Sequence, residues 1–153
     1  MEITSQAFTS GSLIPSRHTC DGANVSPPLS FSGAPPGTKS LALISDDPDA
    51  PGGTWVHWVV WNIPADAPGL QEDVPARDRL PDGIRQGTTD FRRIGYGGPC
   101  PPSGTHRYSF KLYALDTTLD LPASTVKQAL ETAMRGHVLA QAELMGKYAR
   151  RTI

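Results

Sequence analysis

Hydrophobic residues concentrate in two β-type runs near the middle of the chain. In residues 55–63, with the sequence WVHWVVWNI, apolar side chains occupy both alternating sets of positions. Residues 109–115, SFKLYAL, show a similar pattern. A strand that is apolar on both faces is covered by other elements on both faces. The pattern therefore predicts interior strands of a layered β structure.

Strict alternation assigns the side chains of the first run to two faces. One face is predicted to carry Trp55, Val59, Trp61 and Ile63, and the other Val56, Trp58 and Val60.

Shorter segments complete the predicted β unit. Residues 41–45, LALIS, form a short apolar strand, while residues 27–31 and 92–96 contain prolines or charges that suit sheet edges. The many Pro, Asp and Gly residues between positions 65 and 87 predict a long surface loop with one helical turn.

The apolar spacing changes to a helical period near the end of the chain. A helix is predicted from an N-cap at Ser124 or Thr125 to a stop at Gly136, followed by a second short helix over residues 137–145. Residues 147–152 are predicted to add a final strand. The expected fold is thus mostly β, an antiparallel β-sandwich with a short C-terminal helical pair flanking one sheet.

Composition supports this fold class and limits the possible partners. The 153 residues include 15 Pro and 15 Gly, which favours a turn-rich β protein, and the length predicts a single domain over residues 1–153. The formal net charge is −1, so the sequence gives no electrostatic reason to expect nucleic acid or a membrane surface as a partner. No transmembrane segment or secretory signal is visible, and a cytoplasmic location is expected.

Two proline-rich turns each lead into a strand that begins with polar side chains. Residues 46–51, DDPDAP, precede His57, and residues 97–102, GGPCPP, precede His106 and Tyr108. If these strands are neighbours, the two imidazoles, the tyrosine hydroxyl and Asp47 meet in one small pocket. Several hydrogen-bond donors and one acid in a preformed pocket would suit a compact anion.

Other polar residues are expected to be structural. Asp49 and Arg107 are interpreted as an ion pair that braces the two turns, and His18 and His137 as structural histidines, the latter at a helix start. Cys20 and Cys100 do not form a metal-binding pattern. The sequence favours two free, partly buried thiols and leaves a single disulfide open.

Six motifs follow one another between residues 19 and 108, namely 19–22 (TCDG), 26–29 (SPPL), 47–51 (DPDAP), 55–58 (WVHW), 96–102 (YGGPCPP) and 104–108 (GTHRY). Together they resemble the motifs of the phosphatidylethanolamine-binding protein family, also called the Raf kinase inhibitor protein family, in its short bacterial and archaeal branch. The resemblance implies a β-sandwich with a pocket for phosphate, sulfate or phosphorylated head groups. The ligand-binding residues that it implies are Asp47, Ala50, Pro51, Trp55, His57, Gly98, Cys100, Pro101, His106 and Tyr108.

The leading functional hypothesis is therefore a non-enzymatic binding protein without a cofactor or bound metal, for a small phosphate-containing ligand or a phosphorylated protein. The resemblance also implies a possible homodimer and a regulatory or inhibitory action on kinases or proteases. The alternative is a small hydrolase that uses His57, His106 and Asp47, with Asp21, as acid–base groups or metal ligands. Cys100 is a weak nucleophile candidate, since no orienting triad is evident.

Overall fold

The computed structural model describes residues 1–150 as eight strands and one α-helix. The strands are Glu2–Thr4 (β1), Leu29–Ser32 (β2), Ser40–Asp47 (β3), Trp55–Pro64 (β4), Gly69–Leu70 (β5), Arg85–Gln86 (β6), His106–Leu115 (β7) and Val138–Tyr148 (β8). The helix is Lys127–Met134 (α1), and single 3₁₀ turns occupy Ser16–His18 and Pro81–Gly83.

These strands form two antiparallel sheets, one of three strands in the order β1-β2-β5 and one of five in the order β6-β4-β3-β7-β8. The mostly β, sandwich-like prediction is confirmed. β3 lies at the centre of the larger sheet, and all eight of its residues are buried. A strand in that position needs cover on both faces, which explains its apolar sequence.

Two hydrophobic clusters cover the faces of the larger sheet. The first lies between the sheets and joins Phe31 of β2 to Trp58 of β4 and to Phe110 and Leu112 of β7. The second lies on the opposite face, where Leu130 and Met134 of α1 pack with residues of β3, β4 and β7. The larger sheet is therefore the shared wall of both cores.

Two β-bulges in β4 alter the predicted assignment of side chains to faces. Ser45 pairs with Trp58 and Asp46 pairs with Val56, so His57 is an extra residue between two paired positions. An extra residue reverses the face of every side chain beyond it. Val56 consequently packs on the helix side with α1, opposite to Trp58. The alternation is wrong here because it assumed an uninterrupted strand.

The second bulge has the same effect at the other end of β4. Leu41 pairs with Ile63 and Leu43 with Val60, which leaves one extra residue in β4, and Asn62 has a φ of 55°. Ile63 therefore lies in the core between the sheets, whereas Trp61 lies on the helix side. The predicted placement of Ile63 beside Trp61 is wrong for this reason.

The C-terminal helical pair is also corrected. α1 follows Val126 rather than a Ser or Thr cap, and the predicted second helix is instead β8, which pairs with β7 from His106 to Leu115. Alternate residues of β8 contact the core between the sheets, namely Ala140, Ala142, Leu144 and Tyr148. These residues are spaced by two or four positions, as expected for one face of a strand. Other apolar residues of the same segment are spaced as in a helix, and they led to the wrong prediction.

The remaining predictions were mixed. Residues 65–87 are mainly loop, as expected, but contain β5 and β6. Residues 92–96 do not form a strand, because Arg92 adopts a φ of 61° within a turn. Of the final strand predicted over residues 147–152, residues 147 and 148 are the last two of β8. Residues 151 and 152 lie outside the described residues. No helix within residues 1–150 is long and apolar enough to cross a membrane.

Replacing Asn62 with Ala should lower the free energy of unfolding by roughly 2 kcal/mol, because positive φ disfavours Ala and two hydrogen bonds are lost. These bonds join the Asn62 amide to the backbone of Leu119, from Nδ2 to O at 2.7 Å and from N to Oδ1 at 2.8 Å. Asn62→Gly should be less harmful, since glycine accepts the backbone conformation. Urea unfolding of both variants provides the measurement, and equal losses would contradict a role for the left-handed backbone.

Candidate functional site

A cavity of about 400 Å³ opens where β3 ends and where β4 and β7 begin. The two proline-rich turns form part of its wall. Its lining comprises Asp47, Ala50, Pro51, Trp55, His57, Phe91, Cys100, Pro101, Pro102, His106 and Tyr108. The structure thus brings together all the sequence-predicted ligand residues except Gly98.

The bulge in β4 holds His57 in this wall. His57 is 4% exposed, and its Nδ1 lies 2.6 Å from the carbonyl oxygen of Gly97. Since a carbonyl can only accept, Nδ1 carries the proton and donates to it. In the neutral ring Nε2 then has a lone pair, and it makes no hydrogen bond with residues 1–150.

Burial lowers the pKa of His57 below its ordinary value. The Gly97 carbonyl and the carboxylates of Asp47, Asp46 and Asp90 oppose this shift but do not overcome it. The neutral ring is therefore favoured at neutral pH, and Nε2 would accept a hydrogen bond from a ligand.

Asp47 orients the second imidazole. His106 Nδ1 lies 2.6 Å from Asp47 Oδ2, and both residues are buried. The other carboxylate oxygen accepts from the backbone N–H of Asp49 at 2.8 Å. Both oxygens are thus occupied, and the ring nitrogen that Asp47 leaves free is Nε2 of His106.

Tyr108 lies beside both histidines. Its ring stacks on His106 with centroids 6.4 Å apart and meets His57 edge to face at 5.2 Å, which confirms that His106 and Tyr108 share a strand face. Its hydroxyl is buried and lies near the Asp47 carboxylate, but no acceptor within residues 1–150 is in hydrogen-bonding geometry with it. Burial, and next the charge of Asp47, raises the pKa of Tyr108, so the hydroxyl keeps its proton. Buried hydroxyls without a partner are uncommon in folded proteins.

Aromatic rings form another part of the wall. Trp55 is 38% exposed and meets Phe91 edge to face at 5.6 Å. Two further lining residues, Phe91 and Pro102, were not predicted, and Phe91 is inconspicuous in the sequence because it follows a polar loop and precedes two arginines. The glycine at position 97 is the one related feature of the sequence, because a Cβ there would come within 2.5 Å of the Phe91 ring.

Gly98 does not line the cavity. Its N–H donates to Asn24 Oδ1 at 2.8 Å, and a Cβ at this position would lie 2.3 Å from the carbonyl oxygen of His18. Gly98 therefore permits close packing of two loops, while its neighbour Gly97 supplies the backbone carbonyl that holds His57. Two adjacent glycines in the sequence gave no basis for separating these roles.

The histidines expected to be structural lie outside the cavity lining. His18 is 2% exposed, and its Nδ1 lies 2.9 Å from the carbonyl oxygen of Val25. His137 Nδ1 lies 2.7 Å from Asp116 Oδ1. His137 precedes β8, however, and does not start a helix.

Cys20 and Cys100 form a disulfide, so the favoured prediction of free thiols is wrong. Their Cα atoms are 5.4 Å apart although the residues are separated by 80 positions in the sequence. The Cys20 N–H also donates to the carbonyl of Pro99 at 3.1 Å. Cys100 therefore fixes the cavity wall to an early loop, and it has no thiol that could act as a nucleophile.

Removing this cross-link with a Cys20→Ala/Cys100→Ala double variant should lower the free energy of unfolding by about 2–4 kcal/mol, because the disulfide closes a long loop in the unfolded chain. Guanidinium unfolding of the variant and of wild type with and without reductant measures the effect. As a control, wild type denatured without reductant should contain no reactive thiol. Two titratable thiols in that control would contradict the pairing.

Asp49 and Arg107 form the ion pair that the sequence predicted. Asp49 Oδ2 accepts from the backbone N–H and the Nε of Arg107, each at 2.9 Å, and Oδ1 accepts from Nη2 at 2.8 Å. These hydrogen bonds lower the pKa of Asp49 to about 2. The Arg107 side chain is 57% exposed and that of Asp49 29%, so solvent screens the pair.

Asp49→Asn should lower the stability at pH 7 by about 1 kcal/mol, as expected for an exposed pair with favourable geometry. The folded-state pKa of Asp49 is depressed, so its contribution is present above about pH 4 and is lost as the pH falls towards 2. Thermal unfolding at several pH values should show the difference from wild type shrinking across this interval. An undiminished difference in acid would contradict an ionic origin.

Comparison with known proteins identifies the relatives of this fold. The family model described as phosphatidylethanolamine-binding protein matches residues 4–149. The chain belongs to the phosphatidylethanolamine-binding protein family. A UPF0098 protein from Methanothermobacter thermautotrophicus is 57% identical over 150 residues, which cover 98% of this chain and 99% of the relative.

Two solved structures of family members share the fold. The crystal structure of a phosphatidylethanolamine-binding protein homologue from Chlamydia trachomatis has a TM-score of 0.91 at 42% identity and covers 98% of this chain and 97% of its own. Escherichia coli YbcL, described as a new member of the mammalian family, also has a TM-score of 0.91, at 38% identity, with 98% of each chain covered. The resemblance drawn from the sequence motifs is therefore confirmed at the level of family and fold.

Proposed function

We propose that this family member is a non-enzymatic binding protein whose cavity takes a phosphate-bearing ligand, either a phosphorylated small molecule or head group or a phosphorylated partner protein. The observation that carries the proposal is the convergence of the buried Tyr108 hydroxyl and the free Nε2 atoms of two imidazoles on one cavity. A phosphomonoester offers an acceptor oxygen to the hydroxyl and, when it carries one proton, a P–OH donor to a neutral imidazole.

The protonation states favour a phosphomonoester that carries one proton. Neutral His57 presents a lone pair at Nε2, which a P–OH group of the monoanion could satisfy. The paired Asp47 and His106 bring no large excess of positive charge, so a fully ionised phosphate would gain less. Burial among aromatic rings and prolines lowers the local dielectric constant and strengthens these hydrogen bonds.

The family name also supports this ligand class, because phosphatidylethanolamine contains a phosphate in its head group. Cavity size supports a small group, since about 400 Å³ accommodates a head group rather than a whole lipid. A regulatory action on kinases or proteases, a homodimer and a cytoplasmic location remain predictions. The disulfide between Cys20 and Cys100 does not favour a cytoplasmic location, because disulfides persist mainly in oxidising compartments.

The hydrolase alternative has less support. Cys100 is held in a disulfide, and Asp21 lies outside the cavity lining, where it accepts a hydrogen bond from Tyr148 at 2.6 Å. Among residues 1–150, no group of three or more His, Cys, Asp or Glu side chains is arranged to hold a metal ion. The Asp47–His106 pair alone lacks an evident nucleophile to activate.

Phosphoethanolamine should bind more tightly as the pH falls from 7.5 to 5.5. The phosphomonoester gains its P–OH proton near pH 6, and Nε2 of His57, whose depressed pKa keeps the ring neutral, can then accept a hydrogen bond from it. His57→Ala and His106→Ala should each weaken binding roughly tenfold or more. Calorimetry, or Trp fluorescence that follows Trp55, measures the affinity.

His137→Ala is the matched control, because its imidazole pairs with Asp116 away from the cavity. It should bind phosphoethanolamine like wild type, and circular dichroism should show that all three variants are folded. Unchanged affinity in both cavity variants would refute the proposed site. Release of inorganic phosphate during the titration would instead support the hydrolase.

A further inference from the structure

Phe91 connects the cavity to a turn that the proposed phosphate site does not use. Its ring lies in the cavity wall, with its centroid 5.2 Å from that of His57 and 5.6 Å from that of Trp55. The absence of a side chain at Gly97 allows this close packing, as a Cβ there would overlap the ring. The phenyl ring is therefore held in a fixed position between the imidazole and the loop that follows it.

Arg93 lies over the same ring. Its guanidinium carbon is 5.7 Å from the centroid of Phe91, within the range of a cation–π contact. A tight turn sets this arrangement: the backbone N–H of Thr89 donates to the Arg93 carbonyl at 3.0 Å, and the Arg92 N–H donates to the Thr89 carbonyl at 2.9 Å. The turn thus brings the exposed Arg93 back over the Phe91 ring, just outside the residues that line the cavity.

The charge of Arg93 has no acidic partner among residues 1–150. Nearby Asp90 uses one carboxylate oxygen to accept from the backbone N–H of Val56 at 2.7 Å. Other arginines do pair with acids, namely Arg17, Arg85, Arg107 and Arg150. An unpaired guanidinium beside an aromatic cavity wall is available to an anionic group of a ligand.

The distance between the two charge-binding positions is limited by Phe91. The Phe91 centroid lies 5.2 Å from the centroid of the His57 ring and 5.7 Å from the guanidinium carbon of Arg93. The imidazole and the guanidinium therefore cannot be farther apart than these two distances laid end to end. A phosphate at the histidines and a second anion at Arg93 would therefore belong to the same small molecule or to one short peptide segment. A lone phosphate would leave the guanidinium unused.

We propose that Arg93 is a specificity-determining residue, which selects phosphorylated ligands that carry a carboxylate a few bonds away from the phosphate. This inference rests on the proposed phosphate site and specifies its ligand further. The planar guanidinium would donate two parallel hydrogen bonds to the carboxylate while its face remains on Phe91.

The test compares the binding of 3-phosphoglycerate with that of glycerol 3-phosphate. Both have a phosphate on a three-carbon chain, which ends in a carboxylate in the first compound and in a hydroxymethyl group in the second. Wild type should bind 3-phosphoglycerate about fivefold more tightly, the ratio expected for one exposed charge pair. Arg93→Gln should reduce this ratio to about one and leave the affinity for glycerol 3-phosphate unchanged. Arg92→Gln is the matched control, because it removes the neighbouring positive charge and leaves the Phe91 contact in place.

The outcomes separate this inference from the proposed function. Equal binding of both compounds to wild type, or a preference that persists in Arg93→Gln, would overturn the role of Arg93 while the phosphate site stands. A preference lost equally in Arg92→Gln would indicate only general electrostatic attraction and would also overturn it. If neither compound bound to wild type, both the proposed function and this inference would be wrong.

Discussion

The hydrogen bond between Asp47 and His106 is the contact on which the cavity depends. It joins the end of β3 to the beginning of β7, so the same two side chains connect the first proline-rich turn to the strand that follows the second. Burying a carboxylate costs free energy that partners of its oxygens offset, and Asp47 finds such partners in His106 and in the backbone N–H of Asp49. Asp49 in turn accepts three hydrogen bonds from Arg107, which extends the connection to the surface.

Adjacent aspartates extend this arrangement to the other face of the larger sheet. Asp46 is 1% exposed and lies 2.6 Å from Nζ of Lys127, at the beginning of α1, while Asp47 lines the cavity. One strand end thus holds the helix on one side and the candidate site on the other. α1 and the cavity imidazole of His106 are consequently both held by two consecutive residues of β3.

The sequence predicted the elements of this fold better than their irregularities. Runs of consecutive apolar residues identified β3, β4 and β7, because strands covered on both faces bury nearly every side chain. It could not predict the bulges at His57 and Asn62, since an extra residue in a strand leaves no trace in hydrophobicity. β8 was mistaken for a helix because an edge strand with one solvated face contains apolar spacings that also fit a helix.

The candidate site shows the same division between local and long-range information. The two turns and the polar residues that follow them are local, and their convergence was predicted from the motifs. The disulfide from Cys20 to Cys100 and the contact of Phe91 with His57 depend on loops that meet only in the folded chain. The difference between Gly97 and Gly98 depends on backbone direction, which the residue type does not reveal.

The bulge at His57 has a consequence for how ligand preference can diverge within this family. As an extra residue outside the strand pairing, His57 exchanges two hydrogen bonds with Gly97: its carbonyl accepts from the Gly97 N–H at 2.9 Å, and its ring donates to the Gly97 carbonyl. The bond from the Gly97 N–H to the His57 carbonyl involves only the main chain, so it does not depend on the imidazole ring. A substitution of His57 that changes the ligand preference would therefore leave the loop at Gly97 attached to β4 through the main chain.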